Sequence, residues 1–318
     1  MLMSGTLILP AALLAEWAWG YPRWMLARVG HPVMWMGALI GALDRRWNRG
    51  SPRRQRIMGA AMLPLLVAVS VGTAALVQHA LLQSMWLWPM LVLAATTGLA
   101  QRSLADHVEA VAVPLAAGDL ETARIAVGMI VGRDVAGLDE AGIATAAIES
   151  LAESFGDGIV TPACWLALAG LPGLAAAKAI NTADSMVGHR DARHRHFGWA
   201  SARADDALNY LPARLSGALL VLAAGRGWRT GWHVMQRDAR GHASPNAGWP
   251  EAAMAGALGR QLGGPVSYDG EPVLRATMGD GPRPDARDLT RALVIWRRAC
   301  RLLWALAAIV AGVILWLR

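Results

Sequence analysis

An all-α, polytopic integral membrane protein is what this sequence predicts, and three observations carry the prediction. Apolar side chains make up 55% of the 318 residues and charged ones only 17%, against roughly 45–50% and 25% in soluble domains. No Asp, Glu, Lys or Arg occurs between Ile57 and Gln101. Four of the 15 tryptophans, Trp86, Trp88, Trp304 and Trp316, stand near the ends of apolar runs, where amphipathic rings meet the membrane interface. The net charge of +7 comes from 29 Arg and a single Lys, Lys178, against 23 acidic residues. It does not indicate nucleic acid as a partner: basic and aromatic residues are not interleaved in a polar setting, and arginines beside apolar spans account for the excess.

Each element follows in order. Residues 2–19 are apolar, lack a basic leader and carry Glu16, so they read as a retained span and not a cleaved signal. Trp19–Arg56 holds eight Arg and one Asp, which predicts a cytoplasmic connection and an outside N-terminus. The 45 residues from Ile57 to Gln101 would reach roughly 68 Å as one helix, about twice a ~30 Å hydrocarbon core. They must therefore turn back, with the hairpin at Gln78–Ser84 and spans near 57–77 and 85–100. Residues 101–158 return to the cytoplasm with ten acidic residues and three Arg. The apolar run 159–180 is interrupted by Gly170-Leu171-Pro172-Gly173, which suits two half-helices better than one rod. The next run, 207–224, contains Arg214 and reads as shallow or spanning. Residues 225–298 read as a cytoplasmic loop, either a lid over the site or a packed appendage. They contain no GxxxxGK[ST] spacing and so no P-loop. The final span is 299–317, flanked by Arg298, Arg301 and Arg318. Cys164 and Cys300 have neither disulfide nor zinc spacing. The whole chain, 1–318, reads as one membrane domain.

The densest polar signal lies between Arg133 and Arg214. Glu149 and Glu153 stand four apart in a helical stretch, Glu140–Phe155, and Asp157 follows. Like charges at this spacing repel; the stretch is either a solvated acidic face or part of a Mg²⁺ site, since Mg²⁺ takes one or two carboxylates plus phosphate oxygens. Asp205-Asp206-Ala-Leu-Asn209 is a second candidate for Mg²⁺ and phosphate, with helix N-capping by Asp205 as the other reading. Lys178, Asn181 and Ser185 share one helical stripe. Lys178 either snorkels to the interface or meets a phosphate. His194 and His196 fall on different helix faces, a poor metal pair, whereas Arg190, Arg193 and Arg195 offer planar forks for anions.

These blocks carry a resemblance. GRDVAGLDEAGIATAAIESLAESFGDGIVTPACW and AINTADSMVGHRDARHRHFGWASARADDALNYLPARL, with HPVMWMGALI and SPNAGWPEAAMAGALGRQLGGP, resemble the adenosylcobinamide-phosphate synthases of cobalamin biosynthesis nearly end to end. The resemblance implies a multi-pass enzyme of the inner (plasma) membrane with its site on the cytoplasmic side. It would join adenosylcobyric acid to (R)-1-aminopropan-2-ol O-phosphate, or to aminopropanol, with ATP and Mg²⁺. Its partners would be the corrinoid, the amino-alcohol phosphate and the lipid bilayer, with a homo-oligomer or other late-pathway cobalamin enzymes as further partners. The catalytic set expected from it is Glu149, Glu153, Asp184 and Lys178. Metal ligands would come from Glu149, Glu153, Asp157, Asp205 and Asp206. Substrate binding would fall to Arg133, Asp134, Asn181, Ser185, His189, Arg190, Asn209, Arg214 and Asn246. A cytoplasmic site requires residues 101–206 on that side, which favours the re-entrant reading of 159–180. Two other classes fit parts of the pattern. A Mg²⁺-dependent prenyl or alcohol-phosphate transferase fits the paired acids, and a transporter fits the broken helix but predicts an internal repeat that is absent.

Overall fold

The computed structural model describes residues 2–189, 191–268 and 270–317; Arg190, expected at the site, lies outside them. The described residues are mostly helical, with one antiparallel hairpin among them, Pro265–Tyr268 with Glu271–Leu274, in which Pro265 faces Leu274. Among the described residues, four helical runs are long and apolar enough to cross a membrane: Trp24–Trp47, Pro52–Leu81, Glu140–Val187 and Ala286–Trp316. This is an integral membrane protein.

Backbone packing divides it into two compact units. The first comprises Met1–Ala100, Thr161–Asn209 and Leu306–Arg318, and the second Gln101–Val160 and Tyr210–Ala305.

In the first unit, helix Pro52–Leu81 starts at Ser51, whose hydroxyl accepts the Arg54 N–H, and ends at the expected turn. The stretch 85–100 then forms only a short 3₁₀ turn and the nine-residue helix Trp88–Thr96, about 14 Å and well short of a ~30 Å core. Conversely, the arginine-rich connection is helical over Arg23–Val29 and Pro32–Trp47. Its arginines gather at the ends of an apolar middle, so counting charge across the whole segment conceals the helices.

The long helix Thr161–Val187 is broken at Gly170, where φ is 68° and ψ −155°. Only glycine adopts that conformation without strain, and Pro172 follows where a helix start tolerates it. In a membrane the freed backbone groups need internal partners. Gln78 supplies one, its Oε1 accepting the Leu171 N–H at 2.7 Å, and Thr6 another, its hydroxyl donating to the Ala167 carbonyl at 2.8 Å. Gly5 permits this approach: a Cβ there would lie 2.0 Å from the Leu166 carbonyl oxygen.

The second unit is built around helix Gly248–Leu258, in which all eleven residues are buried. Its small side chains let Trp228–Asp238 pack closely, and a Cβ at Gly256 would meet the Thr230 carbonyl oxygen at 2.7 Å. Helix Glu140–Phe155 starts at Asp139, whose carboxylate accepts the Gly142 N–H at 2.7 Å and pairs with Arg283. Ile143, Ile148, Leu151 and Phe155 fix its inner face. A π turn, Gly156–Val160, carries Asp157. The apolar run containing Arg214 is the fourteen-residue helix Tyr210–Ala223, about 21 Å long and too short to span unaided.

Candidate active site

The expected site residues fall into two groups, one in each compact unit.

In the second unit, Glu149 is 2% exposed. Its Oε2 accepts from Arg133 and, at 3.1 Å, from Arg275 Nη1, and its Oε1 accepts the Gly263 N–H at 2.7 Å. Gly263, at φ 81°, brings its backbone that close because it has no side chain; a Cβ would lie 2.1 Å from the Ala276 carbonyl oxygen. Two guanidinium groups and a backbone donor thus take up the charge of Glu149. Arg275 also reaches His242, its Nη2 lying 2.8 Å from Nε2. Since Arg only donates, that contact makes His242 Nε2 an acceptor.

Beside them lies Glu251, with no exposed surface. Arg275 Nη2 is 3.6 Å from its Oε2 and His242 Nε2 is 3.8 Å from its Oε1, and neither oxygen makes a hydrogen bond to the described residues. Burial, reinforced by the Glu149 and Glu153 charges and only partly opposed by Arg275 and Arg133, pushes the Glu251 carboxyl well above the usual range. Burial and then the Arg275 charge hold the His242 imidazole below its ordinary value. Glu153, one turn beyond Glu149, is exposed, and Asp157 half-buried.

Other residues expected at the site brace this unit. The Asp134 carboxylate accepts from the Ser267 hydroxyl at 2.7 Å and the Gly270 N–H at 2.9 Å, tying its loop to the hairpin. Arg214 lies over the Tyr210 and Trp249 rings, 3.5 and 4.5 Å from their centroids, a stacked cation. Asn246 is buried in the turn before helix Gly248–Leu258, its N–H donating to the Ser244 hydroxyl at 3.2 Å.

In the first unit three carboxylates, Asp184, Asp205 and Asp206, lie close together, with Arg203 pairing Asp206 at 3.4 Å. Asp205, on helix Trp199–Leu208, is 8% exposed; Asn209 Nδ2 donates to its Oδ2 at 2.8 Å, and Thr161 donates its hydroxyl to Asn209 Oδ1. Asp205 Oδ1 is buried with no hydrogen bond to the described residues. Burial raises the Asp205 carboxyl to about 7, with the Asp184 charge adding to the rise and Asn209 and Asn181 opposing it. Asp184 lies within electrostatic range of Asp205, Asp206 and His189. Two glycines make room: a Cβ at Gly188 would lie 1.9 Å from Asp184 Oδ1, and one at Gly198 1.6 Å from the Val187 carbonyl oxygen. The N-cap reading of Asp205 is corrected, because its helix begins at Trp199 and Asp205 bonds Asn209 from the interior.

Lys178 lies elsewhere in this unit. It lines an apolar cavity of about 280 Å³ with Trp35, Met36, Leu66 and Leu174, in electrostatic range of His31. Ser185 and His189 are exposed, the His189 ring edge-on to His194. Arg193 pairs with Asp44 at 2.5 Å.

Glu251, Arg275 and His242 were not among the residues expected from sequence. Glu251 did leave a signal: it is the one charge in the otherwise apolar and glycine stretch Ala247–Leu258. Arg275 and His242 left none, standing in polar segments where such residues are ordinarily solvated.

Chemically, the Asp184, Asp205 and Asp206 group brings three carboxylates together with amide donors and an exposed guanidinium, Arg203 on Asp206, which suits a divalent cation carrying phosphate oxygens. The orphaned Asp205 oxygen fits such an ion, although no group of three or more His, Cys, Asp or Glu side chains in metal-binding arrangement occurs among the described residues. Glu149 fits one poorly, its oxygens already accepting three donors.

Comparison with known proteins identifies the chain's relatives. Residues 9–296 match the family model described as CobD/Cbib protein. The cobalamin biosynthesis protein CobD of Rhodobacter capsulatus is 50% identical over 309 residues, 93% of this chain and 94% of the relative. Those of Rhizobium meliloti (45%, covering 92% and 93%) and Geobacter metallireducens (42%, covering 96% and 93%) are also similar. No solved structure matches. With a family model spanning most of its length and relatives of such similarity, the chain belongs to the CobD/CbiB family of cobalamin biosynthesis enzymes, the adenosylcobinamide-phosphate synthases.

Proposed function

We propose that this enzyme forms its amide by ATP-dependent activation of a carboxylate. The ring D propionate of adenosylcobyric acid would be joined to (R)-1-aminopropan-2-ol O-phosphate, or to aminopropanol. At neutral pH a carboxylate and an ammonium do not condense unaided, so a carboxylate oxygen must become a leaving group. When bound, MgATP supplies the phosphoryl group that makes it one, and catalysis of such transfer is mainly positioning and charge neutralisation.

The observation that carries this reading is the Asp205 group. A buried carboxylate oxygen without a donor, beside Asp184 and Asp206, is costly unless a cation or proton completes it. We assign Asp205 and Asp206, with Asp184, to hold Mg²⁺, and Asn181 and Asn209 to orient them. Arg133 and Arg275, held by Glu149, serve the substrate's anionic groups. Lys178 and Arg214 support substrate binding from their apolar and aromatic settings.

Purified protein in nanodiscs, given adenosylcobyric acid, aminopropanol phosphate and MgATP, is expected to yield adenosylcobinamide phosphate with one ADP per amide. Product formed without ATP would remove the activation step, and undiminished turnover in excess chelator would remove the metal. We also place the site on the cytoplasmic side. A cysteine at the exposed position Ala192 is then protected from membrane-impermeant reagents in intact cells, and labelling there would reverse that orientation.

A further inference from the structure

We propose that Glu251 is the carboxyl that receives the ammonium group of the amino-alcohol substrate and takes its proton, with Arg275 and His242 holding it in place. This rests on the amide-forming reaction described above.

The argument begins with a cost. Glu251 has no exposed surface, and neither of its oxygens is hydrogen-bonded among the described residues. A buried polar group in that condition destabilises the fold, and more so when charged. An apolar residue of similar volume would remove the penalty within a helix that is otherwise apolar and fully buried. The cations around it are shared: Arg133 and Arg275 both hydrogen-bond Glu149, and Arg275 reaches Glu251 only at 3.6 Å, while burial holds the His242 imidazole below its ordinary value. Glu251 therefore shares Arg275 with Glu149 at ion-pair distance, but neither of its oxygens receives a hydrogen bond among the described residues.

Geometry says what it lacks. The nearest nitrogens are Arg275 Nη2 at 3.6 Å and His242 Nε2 at 3.8 Å. Each is engaged elsewhere, Nη2 with His242 and Nε2 as its acceptor. The missing partner must bring N–H donors and positive charge. A primary ammonium brings three donors and one charge. A carboxyl whose charged form is disfavoured by burial and by the Glu149 and Glu153 charges is also a better proton acceptor near neutral pH than an exposed one.

The step balances. The substrate R–NH₃⁺ gives one proton to the Glu251 carboxylate, leaving R–NH₂ with a lone pair. That nitrogen forms the C–N bond to the activated acyl carbon as the C–O bond to phosphate breaks, and the proton the nitrogen sheds last goes to the departing phosphate or solvent. Arg275, the most exposed side chain of the three, follows the hairpin Pro265–Leu274, which comes after Gly263 and Gly264, both at positive φ.

The test compares wild type, Glu251→Gln and Glu251→Asp in nanodiscs. Expected for Glu251→Gln is a loss of kcat/KM of about 100-fold or more and loss of its acid limb. Binding of 1,2-propanediol phosphate, which has no amine, is expected to stay unchanged, and thermal stability to match or exceed wild type. Glu251→Asp is expected to restore part of the rate and the acid limb. Wild-type kcat/KM and an unaltered acid limb in Glu251→Gln would overturn the proposal, as would equal weakening of both ligands. If wild type itself makes no amide, the reading beneath falls first, and ammonium-dependent binding of the amino-alcohol phosphate by wild type but not by Glu251→Gln still decides the role of Glu251.

Discussion

The two groups of buried charge in this chain are neutralised by opposite means. In the Glu149 group, carboxylates meet guanidinium: Arg133 and Arg275 converge on one glutamate. In the Asp205 group, carboxylates meet amides and one another: Asn209, Asn181 and Thr161 contribute dipoles, and an ion pair, Arg203 with Asp206 at 3.4 Å, lies at the exposed edge and not on Asp205. The first arrangement is electrically closed except at Glu251, so it holds loops and presents arginines. The second retains surplus negative charge and is suited to a cation brought in with substrate. Acidic residues of equal prominence in the sequence thus have different chemical prospects, decided by what stands opposite them.

The comparison can be broken at several points. The largest effect is expected from Asp205→Asn, which keeps the bond partners but removes the charge. Turnover should fall by about 10²–10³-fold, the range for losing one preorganised electrostatic contact, without loss of thermal stability because a costly buried charge goes with it. A Mg²⁺ titration of activity checks this, and unchanged Mg²⁺ dependence would place the cation elsewhere. Next is Glu149→Ala, which leaves two buried guanidinium groups without their shared anion. About 3–5 kcal/mol of stability should be lost, measured by unfolding in detergent. A loss of activity with full stability would instead make Glu149 a participant in the chemistry and not an anchor.

The smallest effect concerns pH and belongs to the Glu149 group alone. Glu251 is raised in the folded state, so between its unfolded value near 4.5 and its folded value stability falls as pH rises. His242 is lowered, so stability is lost as pH falls below its unfolded value of 6.5. Between about pH 5 and 6.5 the two slopes oppose each other. Glu251→Gln should therefore make thermal stability rise more steeply with pH across that window, and His242→Gln should flatten or invert the rise. Parallel profiles in all three proteins would show that neither group titrates differently in the folded and unfolded states.

Much of this was legible in residues adjacent along the chain. The break at Gly170 is written as Gly-Leu-Pro-Gly in an apolar run, and the helix over Glu140–Phe155 follows from its capping Asp139 and its periodicity. The Asp205–Asn209 pairing is likewise a spacing of four on one helix. Less legible was the run Trp24–Trp47, where arginines at the ends concealed an apolar centre. Glu251 is the least legible, because a lone acid in an apolar stretch has no partner at helical spacing to mark it.

By itself the sequence determined the membrane class, the position of the helix break and the segments that carry the acids, since each rests on composition or on spacing within one helix. Only the tertiary structure decided which acid meets which base. Arg275 reaches Glu149 across 126 positions, and the Gly263 N–H reaches it across 114. The physical reason is that the free energy of a buried charge depends on the groups within a few ångströms of it. In a chain of short helices joined by turns, those groups come from segments that are distant in sequence.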